Sequence, residues 1–186
     1  MVVHAGVASV SEPERLRVAT VERAEWETLR TLAATVWHEH YGSMLSREQI
    51  AFMLSERFSD AGLQRIADNC DDELAILWLG EQAVGYCGSG PDAAPHTFKL
   101  GQLYVLAAMR GQGLGRLLLA HVERRAIRDG ASRLVLQVNK QNTTAIGFYR
   151  RQGFSIREAA VFEIGNGFVM DDYVMEKPLH GILPAT

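Results

Sequence analysis

The stretch MRGQGLGRLL, residues 109–118, places Gly111, Gly113 and Gly115 between Arg110 and Arg116. Ahead of it, TFKLGQLYVL (97–106) is branched and aromatic enough for a strand, and behind it Leu114, Leu117, Leu118 and Val122 recur at helical spacing. A glycine-rich turn from strand to helix is a generic anion site. The first N–H groups of the helix have no intrahelical acceptor, the helix dipole adds partial positive charge, and glycine lets an anion approach the backbone. Arg110 and Arg116 add full charges. Two nucleotide-binding loops are disfavoured by the spacing: G-x-G-x-x-G from Gly111 would need glycine where Arg116 stands, and G-x-x-x-x-G-K-[ST] has no match.

A second stretch, VNKQNTTAIGFYRRQGF (138–154), carries the amides of Asn139 and Asn142 and the phenol of Tyr149. Asn142 stands where a helix over 142–151 would begin, and Asn is among the best N-caps. WHEHYG (37–42) invites a metal reading, but His38 and His40 are two apart and face away from each other on a helix. H-E-x-x-H is absent, so no metal is expected and the pair is read as solvated or capping. His121 reads as a helix-face residue. Cys70 and Cys87 are too few and too far apart for a disulfide framework or a zinc site. They are read as reduced, half-buried thiols, which favours the cytoplasm.

Several elements must position these groups. A strand is expected over 15–21. A helix follows from Ala24, with Trp26, Leu29, Leu32, Ala33 and Val36 on one face, closed by Gly42. A second helix opens on a capping box in which Ser46 covers early N–H groups and Gln49 reaches back, with Ile50, Met53 and Leu54 inward. A short helix over 60–68 follows Ser59. A hairpin over 73–90 turns at Gly80-Glu81, a loop covers 91–96 and the strand 97–106 leads into the glycine turn. The helix from Gly113 to Asp129 ends at Gly130, a strand covers 133–138, and a hairpin about Gly165-Asn166-Gly167 ends the series. The order is mixed α/β without internal repeats.

The 186 residues suit one domain over 14–180, with a loose arm at 1–13 and a tail at 181–186. With 47% apolar residues and a net charge of −3, the chain reads as globular, and bulk charge gives no warrant for a nucleic-acid partner. The first residues lack a basic start and soon reach Glu12, Pro13, Glu14 and Arg15, so neither a secretory signal nor a membrane anchor is expected.

Arg110 to Gly115 fits [QR]-x-x-G-x-[GA]. With Asn142, Ala145, Tyr149, Gly153 and Phe154 in register behind it and DDYVMEKPL (171–179) at the end, the chain from Phe98 to Leu179 resembles the GNAT superfamily of acetyl-CoA-dependent N-acyltransferases. The resemblance implies an α/β fold: a mixed, mostly antiparallel central sheet, splayed between its fourth and fifth strands and flanked by helices. It implies that Arg110, Gly111, Gln112, Gly113, Leu114 and Gly115, with Arg116, wrap the pyrophosphate of coenzyme A. It places Leu103, Tyr104 and Val105 on one side of the pantetheine arm, with Val138 and Asn139 at the end of the partner strand and Asn142 near the arm. Tyr149 would lie near the sulfur as general acid, since a phenol with a pKa of about 10 keeps its proton at neutral pH. Acetyl-CoA is then the cosubstrate, and an amine attacks its thioester directly in a ternary complex.

The general base is less legible. Members of the family carry a glutamate early on the fourth strand or five residues before the motif asparagine, and here those positions hold Lys99 and Gln137. Ordered water or a carboxylate from elsewhere must serve, with Glu39, Asp171 and Asp172 as candidates. The N-terminal helices usually build the acceptor pocket, which directs attention to Trp37, Glu39, Tyr41 and Met44. The segments VWHEHYGSMLSREQIAFML and GFVMDDYVMEK are similar to bacterial polyamine N-acetyltransferases of the PaiA type. That resemblance implies an acceptor such as spermidine or spermine, which Glu39, Asp171 and Asp172 would suit. The alternatives are a protein or peptide N-terminal acetyltransferase and a coenzyme-A-binding module without catalysis. A homodimer is a common arrangement in the family.

Overall fold

The computed structural model describes residues 15–179. The expected arm at 1–13 and tail at 181–186 lie outside them. Seven strands form one sheet in the order β1-β2-β3-β4-β5-β7-β6: β1 Leu16–Thr20, β2 Glu73–Leu79, β3 Gln82–Pro91, β4 Thr97–Val105, β5 Arg133–Asn139, β6 Ser155–Gly165 and β7 Phe168–Pro178. All neighbours are antiparallel except β4 and β5, which run parallel. Five helices cover the faces: α1 Trp26–Tyr41, α2 Arg47–Phe58, α3 Asp60–Asp68, α4 Leu114–Arg128 and α5 Thr143–Arg151. No helix among the described residues is long and apolar enough to cross a membrane.

Two cores lie on opposite faces of the sheet. One joins the sheet to α4 and α5 through Leu118, Leu119, Val122, Leu134, Ile146 and Met175. The other joins it to α1, α2 and α3 through Leu29, Val36, Trp37, Ile50, Leu63 and Tyr86. Leu29, Val36 and Leu118 are fully buried, each worth roughly 1.5–3 kcal/mol of apolar transfer. The expected stripe on α4 needs one correction. Leu117 is 43% exposed and Leu119 takes its place inside, because the buried stripe runs through Leu114, Leu118 and Val122 and widens on the Leu119 side.

The break between β4 and β5 positions the site. Their parallel pairing covers only Thr97–Leu100 against Arg133–Leu136. Gly88 pairs with Gln102 and Ser89 with Leu100, so Gly101 is an extra residue, a bulge that bends β4. Phe98 and Leu100 before it, and Leu103 and Val105 after it, meet the α4 core, while Tyr104 meets the α1 core. Beyond the bulge β4 leaves β5, and the sheet opens into a slot.

Helix ends obey their caps. Ser46 accepts from the Gln49 N–H and Ser59 from the Gly62 N–H. The reciprocal half of the expected capping box does not form: the Gln49 amide donates to the Val169 carbonyl at 2.9 Å, tying α2 to the terminal hairpin. At the end of α4, Gly130 has φ +80°, Gly130 N–H meets the Ile127 carbonyl and Ala131 N–H meets that of Ala126. This is a Schellman close that a residue with Cβ would strain. The thiols depart from the half-buried expectation in opposite directions: Cys70 is exposed on the turn before β2, and Cys87 is buried in β3.

Away from the slot, Glu73 binds Thr20, His121 and Arg125. Arg125 also reaches the carbonyls of Asp71 and Ser89, so this cluster joins α4 to the far end of the sheet. Burial pushes the Glu73 carboxyl up, but the hydrogen bonds from His121 and Thr20 and the charges of His121 and Arg125 outweigh it and bring it down to about 2.

Candidate active site

One wall of the slot is backbone. A one-turn 3-10 helix, Ala107–Met109, ends β4, and the chain then turns through Gly111 and Gly113, both left-handed at φ +80° and +81°. Nothing stands within 4 Å of where their Cβ atoms would be, so the loop faces open space. The N–H groups of Gly111, Gln112, Gly113, Leu114 and Gly115 meet no backbone acceptor among the described residues. Five consecutive free donors at a helix start match an anion with several oxygens. Arg110 bends back so that its Nε donates to the Val105 carbonyl, Arg116 is exposed, and the Leu114 side chain lies in the core. Leu103, Tyr104 and Val105 border the slot beyond the last β4–β5 pair.

On the opposite wall, Asn139 accepts the Gln141 N–H and Asn142 accepts the Ala145 N–H as N-cap of α5. That cap fixes which end of the Asn142 amide is oxygen, so its nitrogen must donate to His40 Nε2, 2.7 Å away. His40 is therefore neutral, with its proton on Nδ1. Burial and then the charge of Arg110 lower its pKa, in agreement. Tyr149 packs edge-on against Phe148 and Phe154. Burial, then Tyr41, raises its pKa, so the phenol stays protonated at any ordinary pH.

From the face of the second core, α1 delivers its last turn to the slot. Tyr41 and Tyr104 share a hydrogen bond of 2.8 Å, and Trp37, buried, donates to the Tyr86 hydroxyl at 2.7 Å. Glu39 accepts the Ala107 N–H and so lies against the loop. Met44 packs half-buried on the second core. Asp171 forms an ion pair with Lys140. Asp172 is 5% exposed, and its Oδ1 is sealed from water without a donor. A cavity of about 430 Å³, lined by Trp37, Glu56, Arg57, Arg65, Asp72 and Ile164, adjoins this face. Arg57 reaches within 3.4 Å of where a Gly101 Cβ would stand. Its charged lining is mixed rather than acidic.

Residues 26–154 match the sequence model of the acetyltransferase (GNAT) family. The chain belongs to this family. It is 34% identical over 98 residues to mycothiol acetyltransferase of Corynebacterium glutamicum (strain R), covering 49% of this chain and 31% of that protein. The chain thus spans about a third of the length of that curated relative. Spermidine N(1)-acetyltransferase of Thermoplasma acidophilum is 26% identical over 149 residues, covering 78% of this chain and 89% of the relative. Among solved structures, the PaiA N-acetyltransferase of Thermoplasma acidophilum in complex with coenzyme A superposes with a TM-score of 0.74 at 23% identity, covering 88% of this chain and 99% of that one. The seven-stranded mixed sheet with its parallel β4–β5 pair is the GNAT fold.

Within this GNAT frame the predicted residues fall into two groups. Leu103, Tyr104, Val105 and the loop 110–116 follow the last β4–β5 pair, Asn139 ends β5 opposite Asp172, Asn142 caps α5, and Tyr149 and Asp172 both lie within electrostatic reach of Tyr41. Glu39, Asp171 and Trp37 are each held by a protein partner. The sequence reading missed His40, which is half-buried on Asn142 while His38 is exposed. Once Asn142 is taken as an N-cap, its amide nitrogen needs an acceptor, but no spacing rule says that the acceptor comes from 102 residues earlier.

Proposed function

We propose that this GNAT chain moves the acetyl group of acetyl-CoA to the primary amine of a small molecule, by direct attack in a ternary complex. The observation that carries the reading is the run of five N–H groups without a backbone acceptor at the turn beyond the point where β4 leaves β5. The loop accounts for a pyrophosphate, and the splayed end of β4 offers backbone groups to the pantetheine arm. Tyr149 is the general acid for the departing thiolate, while Asn142, fixed by His40, borders the arm. The acetyl thioester supplies an activated carbonyl carbon. The chain's own residues bind, orient and move protons around it.

A polyamine such as spermidine or spermine is the acceptor to test first. The relative named spermidine N(1)-acetyltransferase, matched over most of both chains, supports that choice. Of the three acids considered for such a cation, Asp172 alone is without a partner among the described residues. The free thiols of Cys70 and Cys87 are in keeping with a reducing, cytoplasmic setting.

The test is release of coenzyme A, followed with a thiol reagent, from acetyl-CoA offered spermidine, spermine, short peptide N-termini or no acceptor. Release dependent on the polyamines is expected. Release with peptides alone would move the acceptor to protein or peptide N-termini. Acetyl-CoA binding without release on any amine would leave a binding module.

A further inference from the structure

The face of the sheet covered by α1 and α2 holds a carboxylate that meets no hydrogen-bond donor among the described residues. Asp172 lies on β7 directly opposite Asn139, the last residue of β5, and beside Ala160 of β6. Tyr173 and Met175 turn to the α4 core. Asp172 alternates with them and shares its face with Met170, whose sulfur meets Gln49 of α2. It therefore faces the side from which α1 and α2 cover the sheet, at the end of the strand that forms one wall of the slot.

Its surroundings are specific. Asp172 is 95% buried by accessible surface, and Oδ1 has no hydrogen-bond donor. Four groups from separate elements act on it or feel it: Asp171 on its own strand, Lys140 after β5, Lys99 on β4, and Tyr41 at the end of α1. Lys140 is bound to Asp171 instead. Burial first and Asp171 second push the Asp172 carboxyl up to about 6, against the pull of the two lysines. A carboxylate that is ionised at neutral pH yet short of donors is suited to receive a proton.

The other groups at the slot are unsuited to that task. Glu39 accepts the Ala107 N–H, and His40 Nε2 is taken by Asn142. Tyr41, Tyr104 and Tyr149 all have pKa values raised by burial and hold their protons.

Resting on the acetyltransferase reading above, we propose that Asp172 is the general base that takes the proton from the acceptor's ammonium group. The carboxylate receives one proton from nitrogen. The freed lone pair forms a C–N bond to the thioester carbonyl carbon, and the C–S bond breaks. Tyr149 protonates the leaving thiolate and recovers a proton from the nitrogen of the adduct, while Asp172 returns its own to solvent. Ammonium and acetyl thioester become amide, thiol and one free proton, so the step balances.

The experiment compares the wild-type chain with Asp172→Asn and Asp172→Glu across pH 5.5–9.5, reading kcat, KM and acetyl-CoA affinity. Two acceptors are used: the best alkylamine of the panel, and hydroxylamine, whose nitrogen is already neutral at pH 7. With the alkylamine at pH 7, Asp172→Asn is expected to lose roughly 10²–10³-fold in kcat while acetyl-CoA affinity stays within twofold. The loss should shrink as pH nears the amine's own pKa. With hydroxylamine the variant should stay within a few-fold of wild type, and Asp172→Glu should recover part of the alkylamine rate. Equal losses on both acceptors would assign Asp172 a structural role and overturn the proposal. An Asp172→Asn variant with wild-type rate and pH profile would overturn it too, leaving the acetyltransferase reading intact. If the wild-type chain binds acetyl-CoA but acetylates no amine, the acetyltransferase reading falls first and the base with it.

Discussion

Two of the surfaces at the slot are made of different material. The loop before α4 presents peptide N–H groups at positions set by two left-handed glycines. The proposed acceptor face is a set of side chains from α1, β4 and β7 that meet only after folding. A wall made of backbone depends on φ and on the absence of Cβ, and so leaves its mark in a short run of sequence. A wall made of side chains depends on long-range register. The first can be specified by six adjacent residues, whereas the second joins residues that are dozens of positions apart.

The contrast can be broken by substitutions of graded effect. Tyr149→Phe removes the proposed acid while keeping the ring that packs on Phe148 and Phe154. It should lower kcat roughly 10²–10³-fold with acetyl-CoA affinity unchanged in a titration, and an unaltered kcat would remove the acid role. Gly113→Val puts a branched side chain at φ +81°. The strain of about 1–2 kcal/mol, with a displaced N–H array, should weaken acetyl-CoA binding at least about tenfold and leave acceptor selectivity as it was. A change in selectivity instead would show that the walls are not separable.

Smaller effects are expected at the join. His40→Ala leaves the Asn142 amide without its acceptor and should raise KM for acetyl-CoA by a few-fold. Because the folded pKa of His40 is depressed, its neutral form is favoured above the ordinary histidine range and is lost as pH falls through the lowered value. The wild-type KM should therefore rise toward acid and that of His40→Ala should not; parallel pH curves for the two would disprove the link. Glu73→Gln serves as a remote control. With the folded pKa near 2, the Glu73 contribution to stability is full above about 4.5 and falls away as pH drops from there toward 2. The variant should flatten Tm against pH in that window with KM for acetyl-CoA unmoved.

Much of the scaffold could be read in advance because its signals are local. Ser46 and Ser59 cap helices where expected, Gly130 closes α4, and the glycine turn joins β4 to α4. What escaped the reading depends on partners far away in sequence. Gln49 leaves its own helix end for a carbonyl of the terminal hairpin. Gly101 looks like any strand glycine until the pairing of β3 shows it to be the inserted residue. Asp171 and Asp172 are adjacent and identical in type, yet one is neutralised by Lys140 and the other left bare. The strand alternation that separates them follows from register, and the choice of Lys140 follows from a turn that no periodicity describes.

The last turn of α1 touches both sides of the opening in consecutive residues. Glu39 holds the N–H of Ala107 at the start of the anion loop, and His40 holds Asn142 at the start of α5. The turn acts as a tie-beam across a gap that the sheet itself leaves unbridged. A ligand that displaced this turn would disturb both hydrogen bonds together, and would couple to whatever the loop and α5 hold. By thermodynamic reciprocity, the factor by which the amine alters acetyl-CoA affinity equals the factor by which acetyl-CoA alters amine affinity.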